Sequence, residues 1–258
     1  MVSIRLKADK TNNVCGGSLV RDDLVITAAH CLMIVIHASR HNVTNLFSTV
    51  EVHVGAHNQK SSGFTDDNVY DILYFEIHDK YEQVPSLRND IGLIKLKRKV
   101  NLSRPEVALI CLPDLKLKNE QVNNGDDLLV VGWGTYAEEY TRSKFTPENL
   151  RQVILTALDS MSLECNSGEK GKNWDQTNII CAHSNEKNKK SGTCTGDSGG
   201  PVVMYRNNRW ILVGIVSYGD FIKDEHSNAR KCDASRPSYF VKVSSYLDYI
   251  QGRKNKKT

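Results

Sequence analysis

Gly196-Asp197-Ser198-Gly199-Gly200-Pro201 is the stretch on which the reading of this chain turns. A serine hydroxyl is a weak nucleophile unless the backbone presents it on a tight turn and a neighbouring base takes its proton. Glycines on both sides of Ser198 permit such a turn, and they let backbone N–H groups come close to an oxygen of a bound molecule. Six glycine-rich residues alone also suit an ordinary loop. Two upstream segments change the odds: Thr27-Ala28-Ala29-His30-Cys31 and Asn89-Asp90-Ile91-Gly92-Leu93-Ile94. Together the three supply a His, an Asp and a Ser, in that chain order.

All three segments resemble those of the chymotrypsin-like serine proteases, and the resemblance covers nearly the whole chain. It implies an all-β fold of two six-stranded antiparallel β-barrels, a catalytic cleft between them and a C-terminal α-helix packed on the second barrel. The chain is then one peptidase domain, residues 1–258. The first barrel takes in about 1–108, the second barrel with the helix about 109–252, and a basic tail 253–258. The implied function is a secreted serine endopeptidase that hydrolyses peptide bonds through an acyl-enzyme. Its implied partners are protein or peptide substrates and protein inhibitors. The rival reading is an inert protease homologue that binds partners through the same scaffold.

Residue by residue, the resemblance makes Ser198 the nucleophile, and His30 the general base and then general acid. An imidazole near its ordinary pKa serves both roles at neutral pH. Asp90, ahead of the apolar run Ile91–Leu96, would be partly buried; burial there is costly without hydrogen bonds, and orienting His30 would supply them. The oxyanion hole would be the N–H groups of Gly196 and Ser198. The specificity pocket would be lined by Gly192–Thr195, Ser217-Tyr218-Gly219 and Pro237–Phe240, with Gly192, Thr195, Ser217, Tyr218, Gly219 and Ser238 as substrate-binding positions. Relatives that cleave after Lys or Arg carry an Asp where this chain has Gly192. Gly192, Gly219 and Ser238 hold no fixed charge, and an unpaired buried cation is expensive. The expected pocket therefore takes aromatic or aliphatic side chains, with Asp220 at its rim as the one acidic neighbour.

Length and composition agree. An all-β chain of 258 residues, 40% hydrophobic and 25% charged, suits a globular fold in one domain. No run reaches the roughly 18 apolar residues of a membrane span. The basic clusters Lys95–Lys99, Lys187–Lys190 and Arg253–Lys257 read as solvated surface, since no interleaved aromatics suggest base stacking, so neither nucleic acid nor membrane is expected as a partner. Seven cysteines lack metal-ligand spacing, and neither a metal nor a cofactor is expected. The family resemblance implies the pairs Cys15–Cys31, Cys165–Cys181 and Cys194–Cys232, which need an oxidising compartment. Sequons at Asn42 and Asn101 point the same way. Cys111 is left over, and some relatives use this position to hold an upstream propeptide by a disulfide.

Short apolar or alternating runs read as strands at Leu24–Thr27, Val50–Val54, Ile72–Ile77, Ile91–Leu96, Leu128–Val131, Val153–Ala157, Pro201–Tyr205, Trp210–Val216 and Tyr239–Val243. Gly16-Gly17, Asn123–Gly125, Gly132–Gly134 and Asn207-Asn208 read as punctuation. Thr135–Asn149 reads as an exposed loop, and Leu32–Ser48 is longer than the corresponding stretch of relatives. Ser244-Ser245 read as the cap of a terminal helix.

Two expectations concern activation and cations. Relatives are zymogens, cut to expose an Ile-Val-Gly-Gly-like terminus whose ammonium inserts beside the residue matched by Asp197. No such segment precedes Met1, so the sequence reads as a truncated precursor. The Asp197 carboxylate is accordingly expected to seek water or another donor rather than fold inward. The calcium loop of some relatives begins with Glu, where Gly55-Ala56-His57-Asn58 has Ala, so no calcium site is expected.

Overall fold

The computed structural model describes residues 1–7, 13–39, 49–59, 67–83, 86–135, 147–167, 174–184, 191–223 and 230–252. The first sheet comprises β1 (Val2–Leu6), β2 (Asn13–Arg21), β3 (Leu24–Thr27), β4 (Val50–Val54), β5 (Val69–Tyr70), β6 (Ile72–Ile77) and β7 (Gly92–Leu96), in the order β5-β4-β1-β2-β3-β7-β6. Its two edges, β5 and β6, are separated along the chain only by Asp71. One interrupted strand thus joins both edges, and the sheet curls into the first barrel. The second barrel is closed, β10-β15-β12-β11-β8-β9. Its strands are β8 (Asp127–Gly132), β9 (Arg151–Ala157), β10 (Ile179–His183), β11 (Pro201–Arg206), β12 (Arg209–Gly219) and β15 (Ser238–Lys242). A ribbon of β13 (Phe221–Lys223) and β14 (Arg230–Cys232) stands beside it.

The period-2 pattern explains the packing. In β8, Leu128 and Val130 are buried against Leu155 and Ala157 of the neighbouring β9. Asn207 and Asn208 both have positive φ, 52° and 58°, which is the geometry of the two-residue turn that suits the twist of the β11–β12 hairpin.

Four local expectations need correction. Gly16-Gly17 is not a break: it lies within β2, where a Cβ on Gly16 would fall 2.8 Å from the Gly200 Cα. The glycine is there for close approach, not for a turn. The start of the long Leu32–Ser48 stretch is helical, as part of α1 (Ala29–Ala38), and Leu32 and Val35 bury one face of that helix. Ser244 and Ser245 do not cap the terminal helix. They lie inside a 3₁₀ turn, Val243–Tyr246, that runs directly into α2 (Leu247–Gly252). The terminal segment also reaches beyond the second barrel: Tyr246 Oη donates to Asn89 Oδ1 at 3.1 Å, and the Tyr249 ring lies 4.8 Å from that of His78.

Asn42, residues 40–48, most of the Thr135–Asn149 loop, Lys187–Lys190 and the tail fall outside the described residues. No described helix is long and apolar enough to cross a membrane.

Candidate active site

His30 sits in the first turn of α1, which the Cys15–Cys31 disulfide ties to β2. Asp90 is fully buried just ahead of β7, and the preceding Asn89 turns the chain with a φ of 52°. Its Oδ1 accepts the His30 backbone N–H at 2.8 Å, and its Oδ2 lies 2.7 Å from His30 Nδ1. The Ser217 hydroxyl also donates to Oδ2, at 2.6 Å. A carboxylate only accepts, so Nδ1 carries the proton and Nε2 is left as the basic nitrogen. Burial alone would lower the imidazole pKa, but the Asp90 charge and hydrogen bond outweigh it and hold His30 above its ordinary value. Burial would likewise raise Asp90; the imidazole charge and the donors around the carboxylate instead hold it below the usual range.

Ser198 reaches the same cleft from the second barrel. Gly199, at φ 75°, packs its backbone against Thr27 and Ala28, two residues from His30. Each carbonyl around the serine is anchored. Thr195 O accepts from Thr135 N–H at 3.0 Å, Asp197 O from Gly200 N–H at 2.9 Å, and Ser198 O from Gly16 N–H at 2.7 Å. Gly196 O accepts from the Asn13 side-chain amide at 2.8 Å. In a trans peptide the N–H points opposite its carbonyl. Fixing Thr195 O and Asp197 O therefore fixes the directions of the Gly196 and Ser198 N–H groups, the two that the oxyanion reading assigns. Gly196 has a φ of 100°, which an L side chain rarely adopts. No hydrogen bond joins Ser198 Oγ to His30 Nε2 among the described residues; such contacts commonly tighten only when substrate binds.

Asp197 departs from expectation. Its carboxylate folds inward, accepting Gly134 N–H at 2.7 Å and Cys194 N–H at 3.0 Å. It fits because Gly132 and Gly134 lack side chains: a Cβ on either would fall 2.0–2.3 Å from its oxygens. The backbone donors suffice to draw the carboxylate in. They do not offset its burial, which pushes the pKa up to about 6.

The expected pocket residues converge. Thr193 Oγ1 donates to Ser238 Oγ at 3.0 Å, so the polar groups near Gly192 are neutral hydroxyls. A Cβ on Gly192 would meet nothing nearer than Ser238 Oγ at 3.6 Å, and Gly219 faces open space. Tyr218 stacks on Tyr239, with ring centroids 4.8 Å apart. Asp220 is less of a rim group than the sequence suggests, since its Oδ2 is closed off from solvent. Thr195 contributes its carbonyl to the Ser198 turn.

The structure contains the three disulfides Cys15–Cys31, Cys165–Cys181 and Cys194–Cys232, and leaves Cys111 free. Cys15 and Cys31 lie beside His30, but both sulfurs are consumed in the bridge and offer no thiolate to a metal.

The trypsin family profile matches residues 1–250. This chain belongs to the trypsin family of serine proteases. It is 35% identical to granzyme-like protein 1 of Rattus norvegicus, covering 94% of this chain and 80% of that protein. It is 34% identical to granzyme B(G,H) of Mus musculus, covering 97% and 84%. A CLIP domain-containing serine protease B4 of Anopheles gambiae is 28% identical over 92% of this chain and 61% of its own length. Family membership supports a proteolytic hydrolase.

Sequence reading missed two contacts. Ser217 appeared only as a pocket residue, although a serine closing the buried apolar run of β12 was a signal that a polar partner lay opposite. Asn13 carried no signal, because its partner is 183 residues away.

Proposed function

We propose that this chain is a serine endopeptidase in which Ser198 attacks the scissile carbonyl, His30 Nε2 takes and returns the proton, and Asp90 holds the imidazole. The observation that carries this reading is the Asp90–His30 pair, 2.7 Å apart and raised in basicity, set beside a serine turn whose carbonyls are each anchored. Attack on the carbonyl forms a tetrahedral oxyanion that Gly196 and Ser198 N–H would receive. Collapse gives the acyl-enzyme as His30 protonates the leaving amine, and water repeats the steps in reverse. A fluorophosphonate probe should label the protein, and Ser198→Ala should abolish labelling. An unlabelled wild type would mean an inert homologue.

The neutral hydroxyls near Gly192 support a preference for aromatic or aliphatic side chains before the scissile bond. The three disulfides support folding in an oxidising compartment and secretion. Asp197, enclosed with two backbone donors, supports activation by an inserted ammonium, which would pair with a carboxylate that burial disfavours. Cys111 supports a disulfide to an upstream propeptide, and non-reducing peptide mapping of the natural product tests it. A free, alkylatable Cys111 there would refute the tether.

A further inference from the structure

Three of the four carbonyls around Ser198 are anchored by backbone N–H groups, which any sequence adopting this fold supplies. The fourth, Gly196 O, depends on a side chain. Asn13 Nδ2 donates to it at 2.8 Å from the other barrel, while Ser3 Oγ donates to Asn13 Oδ1 at 2.6 Å. Ser3 is fully buried and Asn13 is 5% exposed, so no bulk water competes for either contact. We propose that Ser3 and Asn13 are a positioning pair that sets the oxyanion-binding turn across the two barrels. The proposal rests on the proteolytic reading of this site.

The placement follows from β1 and β2. Ser3 pairs with Gly16 and Ile4 with Cys15, but Arg5 pairs with Asn13, so the register shifts by one residue. A bulge of this kind re-aims a side chain, and here Asn13 sits at the shifted position. Reversing the amide would set Asn13 Oδ1 against Gly196 O, two acceptors facing each other. The Ser3 hydroxyl satisfies Oδ1 in the productive orientation. Gly196 is the residue whose own N–H is aimed at the oxyanion, and as a glycine at φ 100° it has little steric resistance to peptide rotation. Holding its carbonyl limits that rotation. Loss of Asn13 would therefore weaken binding of the transition state more than of the substrate.

The test compares the wild-type chain with Asn13→Ala, Ser3→Ala and Asn13→His, the last restoring an N–H donor through the imidazole. Turnover is measured on peptide amides, with binding of a peptidyl aldehyde as oxyanion mimic and the carbonyl carbon resonance of Gly196 in ¹³C-glycine-labelled protein. Asn13→Ala should lower kcat about 10- to 100-fold with KM within about twofold, and weaken the aldehyde in proportion. The Gly196 resonance should move upfield, Ser3→Ala should cost several-fold less, and Asn13→His should recover part of kcat. A loss confined to KM, or an unmoved Gly196 resonance, would overturn the proposal. If Asn13→Ala does not fold, Ser3→Ala decides by the same readouts. If the wild type neither cleaves peptides nor takes the fluorophosphonate, the proteolytic reading fails on its own, and the resonance still decides whether Asn13 holds the turn.

Discussion

Asp90 and Asp197 are two enclosed carboxylates on either side of the cleft, and their surroundings push them in opposite directions. Asp90 gathers an imidazole, a hydroxyl and a backbone N–H, and its pKa falls. Asp197 gathers two backbone N–H groups, and its pKa rises to about 6. Hydrogen bonds are present at both. What differs is a group that can carry positive charge. A buried carboxylate is held ionised by a countercharge far more than by neutral donors, since desolvating a charge outweighs what one or two amides return. The first barrel's acid is electrostatically complete, and the second barrel's acid is not.

The largest expected effect bears on the complete side. Ser198→Ala and His30→Ala should each lower kcat by about 10⁴-fold or more, and the double variant should lose little beyond either single one. Multiplicative losses would mean that the two residues do not act as a unit. Active-site titration with pre-steady-state kinetics measures this.

Next comes the pH dependence of the incomplete side. The folded pKa of Asp197 lies above its ordinary value of 3.8, so the fold favours its protonated form. That favourable contribution is present at low pH and is lost as pH rises from about 4 to about 6, a change of about 3 kcal/mol at 1.36 kcal/mol per pH unit. The raised His30 pKa acts in the same sense: its stabilisation is present below 6.5 and lost as pH rises through the folded value. Asp90 acts oppositely, stabilising above 3.8 and losing that contribution as pH falls through its lowered folded value. Urea titrations of the wild type and Asp197→Ala should diverge between pH 4 and 6.5, the wild type losing stability relative to the variant as pH rises. Parallel curves would show that Asp197 is not strained by its charge. Pairing with an inserted ammonium should lower its pKa and remove the divergence.

A smaller effect is expected from Ser217→Ala, which removes a 2.6 Å donor from Asp90. A hydrogen bond to a charged group contributes about 1.5–3 kcal/mol. The His30 pKa, followed by imidazole NMR, should rise as the carboxylate loses a competing donor, and the acid limb of the pH–rate profile should move with it. An unmoved limb would show that His30 alone sets Asp90.

The smallest effect is a specificity change. A side chain on Gly192 has room, with its nearest contact at 3.6 Å, so Gly192→Asp should fold normally. It should raise kcat/KM for Lys or Arg peptides over Phe peptides by about tenfold relative to wild type, short of full conversion, because surrounding loops also set the transition-state fit. A wild type already preferring Arg would overturn the neutral-pocket reading.

Much of this was legible in the chain. The runs Leu24–Thr27, Val50–Val54 and Ile72–Ile77 coincide with β3, β4 and β6, because alternation and turn residues are local properties. The His30, Asp90 and Ser198 segments declared the family by motif. What eluded the sequence was non-local. Gly16 looked like punctuation until Gly200 was seen against it, and α1 was hidden in an apolar run too short to declare its period. The inward turn of Asp197 followed from the space at Gly132 and Gly134, more than 60 residues earlier. Local chemistry thus determined by itself which residue types could react and where strands would begin. Only the tertiary structure decided that Ser217 would donate to Asp90, that Asn13 would hold Gly196, and that one buried aspartate would have a cationic partner while the other had none among the described residues. Those outcomes depend on which groups two barrels bring within 3 Å, and a hydrogen bond or a buried charge is governed by that distance rather than by separation along the chain.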